Sequence, residues 1–520
     1  MVDRLKEIAV RLQGLTARQL LGMRRGIEKE SLRTASDGSL SLTPHPVALG
    51  AALTHPSITT DFSESQVELV TGAHATAADC LQELRQIHQF VYRQIGPERL
   101  WVSSMPCRLP ADDAIPIAQF GHSNMGRAKS VYRMGLVHRY GRRMQVISGI
   151  HYNWSMPGLA TDEYFALIRN FRRHSFLLLL LQGASPAVCA SFVEGRPHRL
   201  QPMHGGTLGL PYATSLRMGR LGYQSDAQSR LAVSYNCLES YAASLERALT
   251  ESHDDYAKIG IQGPDGSYRQ LSTSLLQIEN EFYSTIRPKR VIQVGERPLH
   301  ALRTRGVEYV EVRCIDLDPF EPVGISETLA RFLDLFLLHC HVLPSPPDSP
   351  AEIATLLQNQ ALTSERGREP GLMLQRGEEA IDIRHWAAEL LAEMAPIAAA
   401  LDAAAATEAP AGTRVSDVDG YGAALRVMQD RLADPASLPA AQVLQRILAT
   451  PEGSHIGVIR EQSDWARATV LGLPWPAEQD ATYRDLAAAS LAEQQAIETS
   501  DAGSFEDFRL NYVSAERLKA

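Results

Sequence analysis

Apolar and polar positions follow different patterns in the two parts of this 520-residue chain. Up to about residue 345, short alternating segments predict strands, and segments with apolar residues every three or four positions predict helices. The predicted strands are 145–153, 277–283 and 307–315, and the predicted helices are 78–95, 162–181, 229–249 and 326–342. Beyond the proline-rich loop 344–350 the chain is rich in Ala, Leu, Glu and Gln with helical periodicity. This order predicts an α+β protein.

The change of pattern suggests a boundary. We expect an α+β region, 1–345, and a helical layer, 346–520, packed on it as one continuous structural unit. Few polar residues converge in the second region, so candidate chemistry is expected in the first. The apolar run 176–181 is too short to cross a membrane.

Composition narrows the class of protein. The net charge is −9 and the pI about 6.0, which argues against a nucleic-acid binder with a basic surface stripe. Six scattered cysteines show no zinc-like spacing, and residues 1–7 lack the apolar core of a signal peptide. We expect a cytoplasmic protein with no membrane partner, either a monomer or a weak homo-oligomer.

Two glutamates one residue apart are the strongest chemical feature. If their segment is a strand, Glu28 and Glu30 point to the same face. Two neighbouring carboxylates are costly without a cation, and Mg²⁺ is the hard cation that oxygen ligands suit. A solvated strand edge with two surface glutamates is the alternative, and for this pair alone it is the commoner one.

Further acidic and imidazole side chains could join this pair. Asp61, Glu64 and Glu68 share a face if their segment is helical but do not all align if it is a strand, and in both cases Asp61 and Glu68 could join the pair. A solvated helix face is the commoner fate of such a run. His151 lies in an apolar strand, where a core histidine is the ordinary outcome. Glu311 lies between valines, where burial requires a partner, either a metal or Arg313 on the same face.

Cationic segments offer possible contacts to phosphate or carboxylate groups. Arg127, Lys129 and Arg133 follow Gly121 in a segment that resembles a phosphate-binding loop only superficially, because Arg replaces its Lys. Segments 210–217 and 279–290 carry further Arg and Lys residues. The chain has neither a dinucleotide-binding glycine fingerprint nor a hydrolase nucleophile elbow.

These pieces occur in the order typical of one family. The matching segments are Arg25-Gly-Ile-Glu-Lys-Glu-Ser-Leu-Arg33, Ala51-Ala-Leu-Thr-His-Pro-Ser-Ile-Thr-Thr-Asp-Phe62, Ser148-Gly-Ile-His-Tyr-Asn153, Leu210-Pro-Tyr-Ala-Thr-Ser-Leu-Arg217, Ile278-Glu-Asn-Glu-Phe-Tyr283, Ile286-Arg-Pro-Lys-Arg290 and Gly306-Val-Glu-Tyr-Val-Glu-Val-Arg313. Together they closely resemble the proteobacterial type of glutamate–cysteine ligase over about residues 20–345, while the helical third matches only loosely.

The resemblance implies a fold and an activity. The fold would be related to glutamine synthetase, with a curved, mostly antiparallel sheet forming a funnel-shaped site among helices. The activity would be ATP-dependent joining of the γ-carboxylate of L-glutamate to the amine of L-cysteine through γ-glutamyl phosphate, the first step of glutathione synthesis. The cofactor would be Mg²⁺, with Mn²⁺ as the alternative, and ATP would be a co-substrate.

The resemblance also implies roles for individual residues. The metal ligands would be Glu28, Glu30, Asp61, Glu68, His151 and Glu311. Tyr132, Tyr223, Tyr283 and Arg217 would contact the amino-acid substrates, Arg287 and Lys289 the nucleotide, and Arg133 and Arg313 would be catalytic.

Two departures and two alternatives accompany the resemblance. The chain after His151 lacks an insertion that is common in the family, and the segment Glu64-Ser-Gln-Val-Glu68-Leu replaces the usual packing residues while retaining both acids. The alternatives are a γ-glutamyl ligase of the same fold with another amine acceptor, and a non-catalytic homologue that binds glutamate or glutathione. Retention of all six expected ligands argues against the second.

Overall fold

The computed structural model describes residues 2–222, 231–293, 295–408, 420–449 and 453–519. The strands in these ranges are β1 (Arg24–Thr34), β2 (Ile58–Thr60), β3 (Gln66–Val70), β4 (Arg99–Leu100), β5 (Ile150–Ser155), β6 (Ala187–Cys189), β7 (Gln201–Pro202), β8 (Thr207–Gly209), β9 (Ile286–Lys289), β10 (Tyr309–Ile315), β11 (Met373–Arg376) and β12 (Glu379–Asp382).

Helices make up most of the remaining structure. They are α1 (Val2–Gln13), α2 (Ala17–Leu21), α3 (Ala77–Gln94), α4 (Asn124–Tyr140), α5 (Arg142–Gln145), α6 (Thr161–His174), α7 (Phe176–Gln182), α8 (Leu238–Thr250), α9 (Asp254–Ile259), α10 (Pro298–Arg305), α11 (Glu327–Val342), α12 (Pro350–Arg366), α13 (Ile383–Glu408), α14 (Tyr421–Ala433), α15 (Pro439–Leu448), α16 (His455–Leu471), α17 (Ala477–Ser500) and α18 (Phe505–Tyr512).

The main sheet is antiparallel throughout. Its strand order is β2-β3-β1-β5-β10-β9, and β4 pairs with the end of β1. A register shift interrupts the β10–β5 ladder between Val312 and Ile315, and such irregularities bend a strand. The long β1 lies between β3 and β5, so its side chains have strand neighbours on both sides.

One face of the sheet packs against helices. On β1, Arg25 forms a buried ion pair with Asp334 of α11, 3.0 Å from Nη2 to Oδ2. Tyr152 of β5 donates its hydroxyl proton to the same carboxylate over 2.7 Å. Lys29, further along β1, lies 3.0 Å from His88 of α3. Because side chains alternate along a strand, Glu28 and Glu30 face the other side of the sheet.

The hydrophobic core extends across the expected boundary at residue 345. One cluster of buried residues contains Leu167, Leu335, Leu390 and Leu425, which come from α6, α11, α13 and α14. The helical third therefore shares its core with the sheet. The prediction of an α+β fold with an antiparallel sheet and a helical C-terminal region is confirmed.

Residues 383–407 of α13 form a helix long and apolar enough to cross a membrane by composition alone. Ile383, Leu390, Met394, Ile397 and Leu401 of this helix are buried in the protein core. We therefore assign α13 as a core helix, since such helices have the same composition.

Several local predictions are wrong. Segment 277–283 is not a strand, because the Glu281 carboxylate accepts the Gln277 N–H over 2.7 Å and the region forms a 3₁₀ turn, Glu279–Glu281. Strand pairing near His151 begins at Ile150, five residues later than predicted. For the segment from Asp61 to Glu68 helix and strand were both open, and the structure has a turn at 61–65 that leads into β3, which contains Glu68.

Two predicted helices also differ from those observed. Segment 162–181 forms two helices, α6 and α7, which meet at Ser175. The helix expected over 229–249 begins at Leu238, and residues 229 and 230 lie outside the described residues. Helices α3 and α11 match their predicted ranges within one residue at each end.

Replacing Lys29 with Met should change how stability depends on pH. Burial lowers the pKa of Lys29 to about 7, whereas an unfolded lysine titrates near about 10.4. Between these values the unfolded chain binds more protons, so the wild-type protein gains stability as pH rises, by at most about 1.4 kcal/mol per pH unit. Lys29→Met should raise the melting temperature most at about pH 6.5, with the advantage shrinking towards about pH 9.5.

Lys258→Met is the matched control, because Lys258 is an exposed lysine with a side chain 74% accessible. It should show no such trend in thermal melts across the same pH range. A melting-temperature difference between Lys29→Met and wild type that stays constant with pH would contradict the expectation.

Candidate active site

Strand register brings acidic residues of three strands, β1, β3 and β10, together around β5. Glu28 of β1 lies opposite His151 of β5, and Glu30 lies opposite Glu68 of β3. Glu311 of β10 lies opposite Asn153 of β5. Glu28 and Glu30 of β1 are two positions apart and share a strand face, as do His151 and Asn153 of β5. The antiparallel pairing therefore places these side chains on one face of the sheet, which forms one wall of the site.

His151 is at the centre of this wall. Its Nδ1 is 2.9 Å from Glu28 Oε2 and 4.0 Å from Glu311 Oε1, and its Nε2 is 3.8 Å from Glu30 Oε1. Because a carboxylate only accepts, Nδ1 carries the proton and Nε2 retains its lone pair. This Nε2 is buried and has no hydrogen-bond partner. It is therefore available as a metal ligand.

The pKa values of the carboxylates in this wall are shifted in opposite directions. Burial, followed by repulsion from Asp61, raises the pKa of Glu30 to about 8. Burial, followed by repulsion from Glu28, raises the pKa of Glu68 well above its usual value. Burial opposes ionisation of Glu28 as well, but the hydrogen bond from His151, together with the charges of His151 and Lys289, outweighs it and the pKa of Glu28 is lowered. The wall holds more carboxylates than it can keep ionised without added positive charge.

Cations surround Glu311 at the other edge of the wall. Lys289 Nζ and Arg313 Nη1 each lie 2.9 Å from a Glu311 oxygen, and Arg287 Nη1 lies at 3.9 Å. Burial again opposes ionisation, but Lys289 and Arg313 outweigh it and hold the pKa of Glu311 well below its usual value. Of the two partners considered for Glu311 in the sequence, Arg313 is present, and a metal ion stays a prediction.

Helix α4 forms the opposite wall. Ser123 caps its first turn, and the Asp501 carboxylate from the C-terminal region accepts the backbone N–H of Asn124. Arg133 of α4 donates to the carbonyl oxygen of Asp61 and lies over the Phe120 ring, 4.3 Å from its centroid. Lys129, one turn earlier, has a pKa lowered by burial to about 8.

The two walls enclose a cavity of about 380 Å³. It is lined by all six expected metal ligands (Glu28, Glu30, Asp61, Glu68, His151 and Glu311) and by six other predicted site residues (Tyr132, Tyr283, Arg133, Arg287, Lys289 and Arg313). Positions separated by as many as 285 residues in the chain therefore meet at one site.

Two predicted residues are not among those lining this cavity. Arg217 lines an adjoining cavity of about 450 Å³, and its guanidinium donates to the carbonyl oxygens of Arg313 and Ile315 over 2.7 and 3.2 Å. That geometry makes it a support for β10, and direct contact between Arg217 and a substrate stays a prediction. Tyr223 lies outside the described residues.

Other residues at or beside the cavity were not among the predicted site residues. The side-chain amide of Asn153 donates to Glu28 over 2.9 Å. The sequence could have indicated this residue, because Asn153 lies two positions after His151 and shares its strand face. Gln145, which lines the cavity, accepts the Tyr283 hydroxyl proton over 3.4 Å. Tyr512 of α18 reaches the cavity from the helical third, where little chemistry was expected. No local pattern distinguishes it from an ordinary core tyrosine.

Tyr512 is joined to the site by an ion pair. Arg297 Nη2 lies 2.7 Å from Glu279 Oε2, and Arg297 Nη1 donates to the Tyr512 carbonyl oxygen over 2.6 Å. The Arg297 guanidinium also lies 4.9 Å from the centroid of the Tyr512 ring. The end of α18 is therefore held against the cavity by buried charge.

Comparison with known proteins identifies the family. The sequence profile of the glutamate–cysteine ligase family matches residues 12–363. The chain belongs to the glutamate–cysteine ligase family. The predictions of this family and of a ligase are therefore confirmed.

Named relatives match over nearly the full chain. The glutamate–cysteine ligase of Azotobacter vinelandii is 46% identical over 511 residues, covering 94% of each chain. That of Alcanivorax borkumensis is 43% identical over 518 residues, covering 95% of this chain and 96% of the relative.

Solved structures agree with the observed architecture. The crystal structure of glutamate–cysteine ligase from Francisella tularensis in complex with AMP superposes with a TM-score of 0.87 at 34% identity, covering 95% of this chain and 98% of that one. A bifunctional glutathione synthetase from Pasteurella multocida has a TM-score of 0.65 at 24% identity over 89% of this chain and 55% of that one. This second likeness shows the fold alone.

Replacing Glu28 with Gln tests the metal assignment. The amide keeps the shape and can still hydrogen-bond to Asn153, but it removes the charge of one carboxylate. We expect Mn²⁺ affinity, measured by electron paramagnetic resonance, to fall by at least about 10-fold, and turnover to be abolished in the ligase family reaction. The circular dichroism spectrum should be unchanged.

Glu308→Gln provides the control for this experiment. Glu308 directly precedes β10, its side chain is 46% accessible, and its carboxylate contacts Arg290 and accepts the backbone N–H of Val291. This variant should bind Mn²⁺ like the wild-type protein. Normal Mn²⁺ binding and turnover in Glu28→Gln would refute the assignment of Glu28 as a ligand.

Proposed function

We propose that the cavity between the sheet and α4 is where this ligase joins the γ-carboxylate of L-glutamate to the amine of L-cysteine at the expense of ATP. The reaction follows from family membership, and its prediction from the sequence is confirmed. The observation that supports this location is the wall itself, in which a buried group of carboxylates and one imidazole adjoins a cluster of Lys and Arg. A nucleoside triphosphate needs cationic side chains around its phosphates, and its divalent cations need carboxylate or imidazole ligands.

The donor set fits Mg²⁺ or Mn²⁺. Glu28, His151 and Glu311 each offer one ligand atom within 4.8 Å of the others, and the Nε2 lone pair of His151 has no protein partner. Glu30, Asp61 and Glu68 would complete the ligand set around further ions. Bound Mg²⁺ would neutralise charge on the transferring phosphoryl group.

The chemistry requires two displacements. A carboxylate is a poor acyl donor, so a glutamate γ-carboxylate oxygen first attacks the γ-phosphorus of ATP and ADP leaves. The cysteine amine then attacks the carbonyl carbon of γ-glutamyl phosphate, and inorganic phosphate leaves with the bonding electron pair. Both steps gather negative charge on phosphoryl oxygens, so positioned cations are the main contribution the protein can make.

We assign this role to the cations on both walls. Lys289, Arg287 and Arg313 lie at the Glu311 edge and would contact the phosphates. Arg133, held by the Asp61 carbonyl and the Phe120 ring, faces the same space from α4. Because these side chains are already held by hydrogen bonds or ion pairs, little ordering is needed when the substrate binds.

The tyrosines would define the acceptor site. Tyr132 and Tyr283 lie at the cavity wall, and burial raises the pKa of each hydroxyl, so both stay neutral donors at physiological pH. A neutral hydroxyl beside an aromatic face suits the small, polarisable side chain of cysteine. Tyr223, by resemblance, would join them.

Charge and cysteine usage support the remaining proposals about cell context. The described cysteines are all free, and four of the six are fully buried, as in a reducing compartment. With a net charge of −9, we propose a cytoplasmic monomer or weak homo-oligomer without nucleic-acid or membrane partners. Light scattering of the purified protein measures the oligomeric state directly.

Turnover over a panel of amines tests the acceptor. With ATP, Mg²⁺ and L-glutamate present, ADP release should depend on L-cysteine, and its kcat/KM should exceed that of L-serine, L-alanine or L-2-aminobutyrate. Faster turnover with another amine would instead support a γ-glutamyl ligase of different specificity. No turnover with any amine would indicate a non-catalytic homologue.

Tyr283→Phe locates the acceptor within the cavity. Loss of the hydroxyl removes the hydrogen bond to Gln145 and one polar contact at the wall. We expect KM for cysteine to rise by about 10-fold, since a lost hydrogen bond of about 1–1.5 kcal/mol has that effect, while KM for ATP is unchanged. Tyr212→Phe is the control, because Tyr212 is an exposed tyrosine outside the cavity. An unchanged KM for cysteine in Tyr283→Phe would contradict the placement.

A further inference from the structure

A second group of metal-binding side chains lies among the helices behind the sheet. His174 is the last residue of α6, and His339 and Cys340 are consecutive on α11. One donor atom from each residue, an imidazole nitrogen or the thiol sulfur, lies within 4.8 Å of the other two. The carboxylates of the active site are on the other face of the sheet, so this group is separate from them.

Burial and hydrogen bonding make this group unusual for a core. His174 is 5% exposed, and His339 and Cys340 are fully buried. The Nδ1 atoms of both histidines are buried without a hydrogen-bond partner. Leaving two polar atoms unsatisfied in one place costs free energy. A ligand that accepts both lone pairs would remove this cost.

The neighbour of His339 fixes which nitrogen is available. His339 Nε2 lies 3.0 Å from Glu393 Oε2 of α13, so Nε2 carries the proton and Nδ1 has the free lone pair. Arg4 of α1 lies 3.1 Å from the other oxygen of the same carboxylate. A carboxylate that orients an imidazole in this way is the usual support of a histidine that binds a metal.

We propose that His174, His339 and Cys340 bind one Zn²⁺ ion that joins α6 to α11. Two imidazoles and a thiolate are borderline to soft donors, which suit Zn²⁺ and not Mg²⁺. Zinc bonds of about 2.0–2.1 Å to nitrogen and about 2.3 Å to sulfur require the donors to approach by roughly 1 Å, which rotation of the side chains can supply. Binding would displace the thiol proton of Cys340 to solvent.

The surroundings indicate a structural role. Trp386 packs against His174, with ring centroids 6.3 Å apart, and Phe176 packs against Trp386 at 4.4 Å. These rings leave the group enclosed and remote from substrate. Helix α11 also carries Asp334, which holds Arg25 of β1. An ion that ties α6 to α11 would therefore stabilise the layer that supports the active-site strand.

Cobalt substitution tests the proposal. Chelator-treated protein without an affinity tag, kept in saturating Mg²⁺ to occupy the carboxylate site, is titrated with Co²⁺. We expect one equivalent to produce a thiolate-to-cobalt charge-transfer band with intense tetrahedral visible bands, and Zn²⁺ to abolish them. Zn²⁺ should also raise the melting temperature of the protein.

Matched variants locate the signal. Cys340→Ser and His339→Gln should each weaken Zn²⁺ binding by at least about 10-fold, and Cys340→Ser should lose the charge-transfer band. Cys107→Ser, at another fully buried cysteine, and Glu311→Gln, in the active site, should retain it. Absence of the band in the wild-type protein, or its persistence in Cys340→Ser, would overturn the proposal and leave an ordinary packed core. The wild-type spectrum decides the question even if a variant fails to fold.

Discussion

Crowding of negative charge on one face of a buried antiparallel sheet is the constraint around which this protein is built. Glu28, Glu30, Glu68 and Glu311 lie on strands that are neighbours in the sheet. The raised pKa values of Glu30 and Glu68 show that the wall resists full ionisation by itself. The surrounding architecture supplies compensating groups: an imidazole at the centre, cations around Glu311, and space for divalent ions.

The opposite face of the same strand carries the opposite charge. Arg25 and Lys29 alternate with the glutamates of β1 and point into the helices. Arg25 is compensated by Asp334, whereas Lys29 lies within hydrogen-bonding distance of two neutral partners, Ser31 and His88. Buried ion pairs of this kind contribute more to geometry than to net stability. They hold β1 against α11, which keeps Glu28 and Glu30 at a constant position relative to β5.

Period-two alternation allowed much of the site wall to be predicted from the sequence. It placed Glu28 with Glu30 and Glu311 with Arg313, and both pairs share a face in the structure. It could not give the strand order β3-β1-β5-β10, because pairing between distant segments leaves no local signal. The prediction of a strand at 277–283 was wrong for a different reason. Glu281 is buried in an ion pair with Arg139, 3.0 Å away, and this ion pair and its hydrogen bonds take the place of strand pairing. Resemblance to a family supplied the ligand set that alternation alone left open.

The position of Tyr512 has a consequence for the order in which the protein acquires activity. The cavity takes walls from β1 near the start of the chain and from α18 near residue 512. During synthesis on the ribosome the strands that carry the carboxylates emerge first, yet the cavity lacks the Tyr512 side until α18 has followed. A nascent chain that already contains every charged group of the sheet therefore still has an incomplete cavity until α18 has been synthesised.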